Sequence, residues 1–170
     1  MSFRRMRHIK AREVQGCTAN FDASVSTSLY DATSGGSLVA ADGAVARWED
    51  ISGGGNHVTQ ATSGNRPARR VASQGGFDAV EATATNACLQ AASFYPSSGA
   101  NDFTIICVGK ENPSITYPCW YEYGQNANGK RISLFMKYDA AGKTVVDFYN
   151  SYIGNLSNLT GGAWATHSVV

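Results

Sequence analysis

The sequence predicts an all-β chain, an antiparallel β-sandwich carrying an extended basic N-terminal arm, and three observations support that expectation. β-Branched and aromatic residues fall in runs of about four to eight, with no long stripe of 3.6-residue period, which is the pattern of strands. Clusters of Gly, Asn, Asp and Ser interrupt those runs repeatedly, as the turns between short strands require. Finally, the composition is 43% hydrophobic but only 16% charged, with 18 Gly. That is poorer in charge than the roughly one quarter of an ordinary globular chain, and unlike helices built on Leu, Glu and Lys.

Taken in order, the expected strands are 18–23, 44–50, 57–60, 79–83, 87–91, 103–110, 119–123, 131–138, 144–149 and 165–170. The turns between them are marked by Ser34-Gly35-Gly36, Ala41-Asp42-Gly43, Gly53-Gly54-Gly55-Asn56, Ser73-Gln74-Gly75-Gly76, Asn128-Gly129, Ala141-Gly142 and Gly161-Gly162. The run Phe103-Thr104-Ile105-Ile106-Cys107-Val108 is apolar almost throughout, as a strand buried on both faces would be. Residues 131–138 and 144–149, joined across 139–143, read as a β-hairpin. A helix fits only around 91–97, where Pro96 limits it to a turn or two. The last run, 165–170, is a strand without a return strand. An unpaired edge invites association, so the expectation is a continuation of the chain or a partner strand from another copy in a homo-oligomer.

Residues 1–16 form the expected arm and 17–170 the sandwich, incomplete at its C-terminal end. The arm concentrates charge: Arg4, Arg5, Arg7, Lys10 and Arg12 stand in the first twelve residues with no acid among them. Removing those five from 14 basic residues leaves nine against 13 acidic ones, so the remainder carries a net charge of −4. Such an arm is either a solvated tail or an anchor for an acidic surface. Phe3 is its one aromatic, which argues against specific nucleic-acid readout. No apolar run reaches the ~18 residues of a membrane helix, and Met6, His8 and Ile9 do not make the apolar core of a secretory signal. The four cysteines, Cys17, Cys88, Cys107 and Cys119, lack metal-ligand spacing and are expected as free thiols in a reducing cytoplasm.

From residue 20 onward the chain resembles the concanavalin A-like, laminin-G-like jelly-roll domains of phage structural proteins and bacterial surface proteins. The residues that carry the likeness are Phe21-Asp22-Ala23-Ser24, then Trp48-Glu49-Asp50-Ile51-Ser52-Gly53-Gly54-Gly55-Asn56-His57, continuing through Thr59-Gln60-Ala61-Thr62 to Asn65-Arg66-Pro67. Asp102 through Val108 supplies the apolar strand that follows. The stretch Ala79-Val80-Glu81-Ala82-Thr83 departs from the apolar-Phe-Asp-Gly pattern of such domains, and the chain is shorter than their usual sandwich. Within this resemblance Trp48 is a structural plug between sheets. Asp50 and Ser52 hold a turn through nearby backbone N–H groups, and Gly53 and Gly55 allow the chain to reverse sharply.

Catalytic constellations are not evident. Glu49 and Asp50 are adjacent and so point to opposite faces of a strand, unlike the i, i+2 acids of glycosidases. His8, His57 and His167 are scattered, and no nucleophile elbow is present. Asp42, Asp50 and Asn56 are the nearest approach to a cation site, but no metal and no cofactor is expected. Recognition is placed on Trp120, Tyr121 and Tyr123 with Gln125, Asn126 and Asn128 on the following loop, because sugars stack on aromatic rings and bond planar amides. Strict alternation sets Cys119, Tyr121 and Tyr123 on one face and Trp120 with Glu122 on the other; one of those faces serves equally well as core.

The expected function is therefore non-enzymatic: a virion structural or adhesive protein (a phage head fibre, tail fibre or decoration protein). The arm binds other virion proteins, and the sandwich displays a glycan- or surface-binding face without crossing a membrane. A carbohydrate- or protein-binding domain of a bacterial cell-surface protein is the alternative, and a glycoside hydrolase a more distant one.

Overall fold

The computed structural model describes residues 16–91 and the strand segments 105–110, 119–124, 131–135, 143–148, 151–158 and 164–169. Among these residues every sheet is antiparallel, and the helical content is two 3-10 turns, Ser26–Ser28 and Ser63–Asn65. The chain divides into two compact units, Met1–Glu81 with Ala87–Phe94, and Ala82–Asn86 with Tyr95–Val170. The expected arm lies outside the described residues apart from Gly16, as does the helical turn expected at 91–97 apart from Ala91.

The first unit contains β1 (Leu29–Tyr30), β2 (Arg47–Trp48), β3 (Val58–Thr59), β4 (Ala68–Gln74), β5 (Phe77–Glu81) and β6 (Gln90–Ala91). Four of these form one sheet in the order β1-β2-β3-β6, and β4 pairs with β5 as a hairpin. Strands of two residues cannot hold a sheet through their ladders alone, so flanking segments extend them. Glu49 N–H donates to Ser28 O and Ala46 N–H to Tyr30 O, both at 2.8 Å, prolonging the β1–β2 pairing at either end. On the other edge of β1, Val39 N–H donates to Leu29 O at 2.9 Å.

That arrangement explains the core. Leu29 from β1, Val39 from the segment beside it and Val45 ahead of β2 meet with 0%, 3% and 0% exposure, and Trp48, Val80 and Leu89 close over them. Ala46 and Ala68 are also buried, at points where backbones run close. One aliphatic side chain per segment makes this a small core in which each member counts.

Polar side chains lock the β4–β5 hairpin. Its register slips between Arg70 and Gln74, where Ala72 takes a left-handed φ of +49°. Asp78 spans the slip: Oδ2 accepts from Arg69 Nε at 3.0 Å and Nη2 at 2.7 Å, and Oδ1 accepts from Ala72 N–H at 3.1 Å. The Arg69 guanidinium, followed by the Ala72 N–H, holds the Asp78 carboxyl below its ordinary value of 3.8. Along the other edge of β4 the chain pairs through Asp42 N–H to Arg69 O, Arg69 N–H to Gly43 O and Val45 N–H to Pro67 O.

The second unit contains β7 (Ile105–Lys110), β8 (Cys119–Gly124), β9 (Arg131–Phe135), β10 (Lys143–Phe148), β11 (Ser151–Asn158) and β12 (Trp164–Val169). Its four-stranded sheet runs β11-β10-β9-β8, and β12 pairs with β7. β9 and β10 are the expected hairpin partners, in register from Val145 opposite Phe135 to Phe148 opposite Ile132.

Three expectations need correction. Residues 18–23 are not a strand; their main chain is bonded to the loop after β2 instead. The run ending at Val108 is not covered on both faces, since Ile106 and Val108 are 66% and 67% exposed. An apolar run reports affinity for a cover without supplying one, and among the described residues β7 pairs with β12 alone. The C-terminal strand has its partner within the chain, pairing with β7 from Trp164 opposite Lys110 to Val169 opposite Ile105.

Leu29→Ala removes the central member of the small core and is expected to cost about 2–5 kcal/mol. Phe77→Ala, at a position 64% exposed, is expected to stay within about 1 kcal/mol. Urea denaturation of the two variants measures both.

Candidate functional site

A buried polar cluster lies where β2 ends. Asp50 is 6% exposed, and a carboxylate so enclosed must have its oxygens bonded. Oδ1 accepts from Asn20 N–H and Ser52 N–H, both at 2.8 Å, and Oδ2 accepts from Asn56 N–H at 3.1 Å. The Ser52 bond is the local turn expected of an Asp followed two residues later by Ser. The other two reach across the loop and back to the N-terminal segment. Asp50's own N–H donates to Nδ1 of His57 at 3.1 Å, so the ring closes the loop as an acceptor.

A second layer of bonds meets at one carbonyl. Thr18 O accepts from Ser52 Oγ at 3.3 Å and from Asn56 Nδ2 at 2.8 Å, while Ile51 N–H donates to Asn20 O at 2.9 Å. The glycines fit this traffic in two ways. Gly53 and Gly55 have φ of +93° and +71°. Gly54 has an ordinary φ but no room, because a Cβ there would stand 2.7 Å from Thr18 O and 3.2 Å from Asp50 Oδ2.

Burial alone would raise the Asp50 carboxyl; the N–H donors of Asn20, Ser52 and Asn56 reverse that and hold it below 3.8. Asp50 and Asn56 do converge, but through N–H groups turned inward, an arrangement that suits an anionic oxygen. Asp42 is engaged elsewhere, with Arg70 Nη1 at 2.6 Å. Among the described residues no group of three His, Cys, Asp or Glu side chains converges as metal ligands would.

Beside this loop, Trp48 packs edge to face on Phe21 with ring centroids 5.6 Å apart. Arg47 lies over the Tyr30 ring at 4.2 Å, pairs with Glu49 at 3.2 Å and donates to Thr33 O at 3.5 Å. Arg66 ties three carbonyls together, those of Gln60, Ala61 and Asp31. Sequence reading gave neither arginine a structural role, because the carbonyls they serve, Thr33 O and Asp31 O among them, lie far away along the chain.

The remaining acids in this region also have partners. Asp22 accepts from Ser24 N–H, Asp31 from Ser37 N–H, and Glu81 from Arg70 Nε. With Asp42, Glu49, Asp50 and Asp78, each acidic side chain between Gly16 and Ala91 therefore holds part of the scaffold.

Trp120, Tyr121 and Tyr123 lie on β8, the edge strand of its sheet. Gln125, Asn126 and Asn128 fall outside the described residues. The β8–β9 register shifts between Cys119 and Tyr121, with Cys119 opposite Phe135 but Tyr121 opposite Leu134. Two steps on β8 thus match one on β9, a bulge at Trp120. The pairing register is regular from Tyr121 to Tyr123 but does not extend to Cys119.

Cys17, Cys88 and Cys107 are free thiols. Burial pushes the Cys107 thiol up to about 11, whereas Cys88 is exposed. No family model, no curated protein and no solved structure matches this chain.

Two outcomes follow from this geometry. Asp50→Asn replaces an acceptor with an N–H donor facing Asn56 N–H and is expected to cost about 2–3 kcal/mol at neutral pH. Because the folded carboxyl lies below its ordinary value, its contribution is complete above pH 3.8 and is lost as pH falls through the lower folded value. The gap between wild type and Asp50→Asn in urea midpoints should therefore narrow in acid. In mass-spectrometric alkylation time courses at mildly alkaline pH, Cys88 is expected to react well before Cys107, whose thiolate is scarce.

Proposed function

We propose that this chain is a non-enzymatic structural or adhesive component of a virion, anchored by residues 1–16 and displaying a jelly-roll β-sandwich toward glycans or other surfaces. One observation carries the non-catalytic part of this reading. General acid–base work needs a carboxylate free to exchange a proton with substrate, and the acids between Gly16 and Ala91 are bound to arginines or backbone N–H groups. The likeness of residues 20–110 to concanavalin A-like domains supports the sandwich, as does the antiparallel pairing of all the described sheets.

The anchoring role follows from charge. The four arginines between Gly16 and Ala91 are occupied with Glu49, Asp78, Asp42, Glu81 and backbone carbonyls. The five cations of residues 1–12 stand in sequence without an acid, and a segment of that kind suits an acidic partner surface. For recognition, a bulge at Trp120 on an edge strand favours the aromatic strand β8, since bulges re-aim side chains at sheet rims.

Deleting residues 1–13 is expected to abolish incorporation into particles while leaving the far-ultraviolet β spectrum intact. Incorporation at wild-type levels without them would defeat the anchoring role. On a glycan array, Trp120→Ala is expected to lower binding at least about tenfold, the loss of one good stacking contact. Unchanged binding would remove β8 from the recognition face, and release of reducing sugar from polysaccharides would overturn the non-enzymatic reading.

A further inference from the structure

The turn at Ala41-Asp42-Gly43 joins a reactive dipeptide to several restraints. Asp42 has a left-handed φ of +58°, and its side chain is 71% exposed. Glycine after aspartate leaves the following nitrogen without a neighbouring side chain to shield it. In such a pair the Gly43 nitrogen can bond to Cγ of Asp42, while the hydroxyl of the protonated carboxyl departs with the nitrogen's proton as one water. The product is a five-membered succinimide. Water then adds to one of its two carbonyls. Opening at the former main-chain carbonyl breaks that carbon's bond to nitrogen, so the chain now runs through Cγ and the old carbonyl becomes a free carboxylate. One water leaves, one enters, and no oxidant or other reactant is needed.

Four contacts oppose the first step. Gly43 N–H, the attacking group, donates to Ala40 O at 3.1 Å. Asp42 N–H donates to Arg69 O at 3.0 Å and Arg69 N–H to Gly43 O at 2.9 Å, pinning the chain on both sides of the bond that must rotate. Arg70 Nη1 holds Oδ1 of Asp42 at 2.6 Å, and the same guanidinium is bound by Glu81. We propose that Asp42–Gly43 is a latent isoaspartate site, kept unconverted by the turn pinned to β4 and by the Arg70 bridge. Conversion would insert one main-chain carbon between the two bonds to Arg69. The segment would then lose its register with β4 next to Val45, which is fully buried.

The test compares full-length wild type, folded and in concentrated urea, with folded Arg70→Gln and Arg70→Lys at neutral pH and physiological temperature. Isoaspartate at residue 42 is counted by peptide mapping with fragmentation that separates the two isomers, and circular dichroism establishes that each variant is folded. Conversion in urea is expected to exceed that of the folded wild type by at least about tenfold, since reaction requires local opening. Arg70→Gln should fall between them, with Arg70→Lys nearer the wild type. Asp42→Glu, whose ring would have six members, supplies the blank. The proposal is overturned if the folded chain converts at the urea rate, if the urea sample does not convert, or if Arg70→Gln matches the wild type.

Discussion

The first unit depends on one buried negative charge. Asp50 sits at the end of β2, where the chain leaves the sheet, and a carboxylate with 6% exposure is tolerable only when backbone amides replace its water. It gathers amides from Asn20 in the N-terminal segment and from Ser52 and Asn56 in the loop after β2. The N-terminal segment is thereby fixed without being a strand, and the Gly-rich loop is fixed without a core of its own. Trp48, two residues earlier, is then held where it packs on Phe21 and on the Leu29, Val39 and Val45 cluster. The polar hub and the apolar core are consecutive consequences of Trp48-Glu49-Asp50.

The same economy governs the other charges. With strands of two residues and three fully enclosed aliphatic side chains, the apolar contribution is modest, and arginine supplies the missing cross-links. Arg69 joins β4 to Asp78 and to Val39 O, Arg66 joins two loops through carbonyls, and Arg47 rests on Tyr30. Planar guanidinium with five donors suits this task better than lysine, and residues 16–91 contain no lysine. Between Gly16 and Ala91 the charged side chains thus serve the scaffold itself.

Much of this was legible beforehand, and the failures have definable causes. Antiparallel pairing, the β9–β10 hairpin and the turn at Gly53–Gly55 follow from period and turn chemistry that act over a few residues. Asp50 was readable as a turn former through Ser52, but its bonds to Asn20 and Asn56 span distances that no local pattern encodes. β1 escaped notice because Leu29-Tyr30 is too short to show alternation. β4 escaped because Arg69 and Arg70 disguise a strand whose side chains bond sideways to Asp78, Asp42 and Glu81. The error at Ile106 and Val108 arose from equating apolarity with burial. At Trp120 a bulge broke an alternation that sequence could only assume to be regular.

The placement of Gly54 bears on what the loop is for. A loop selected only to turn would need freedom at Gly53 and Gly55, where φ is positive, and would accept a side chain between them. Gly54 instead has ordinary dihedrals and a neighbourhood filled by Thr18 O, Asn56 Nδ2 and Asp50 Oδ2. Its constraint is one of space around a satisfied carboxylate. The loop is therefore shaped around the Asp50 carboxylate and closes on the His57 ring, which accepts the Asp50 N–H, so turning the chain and enclosing that charge are one task.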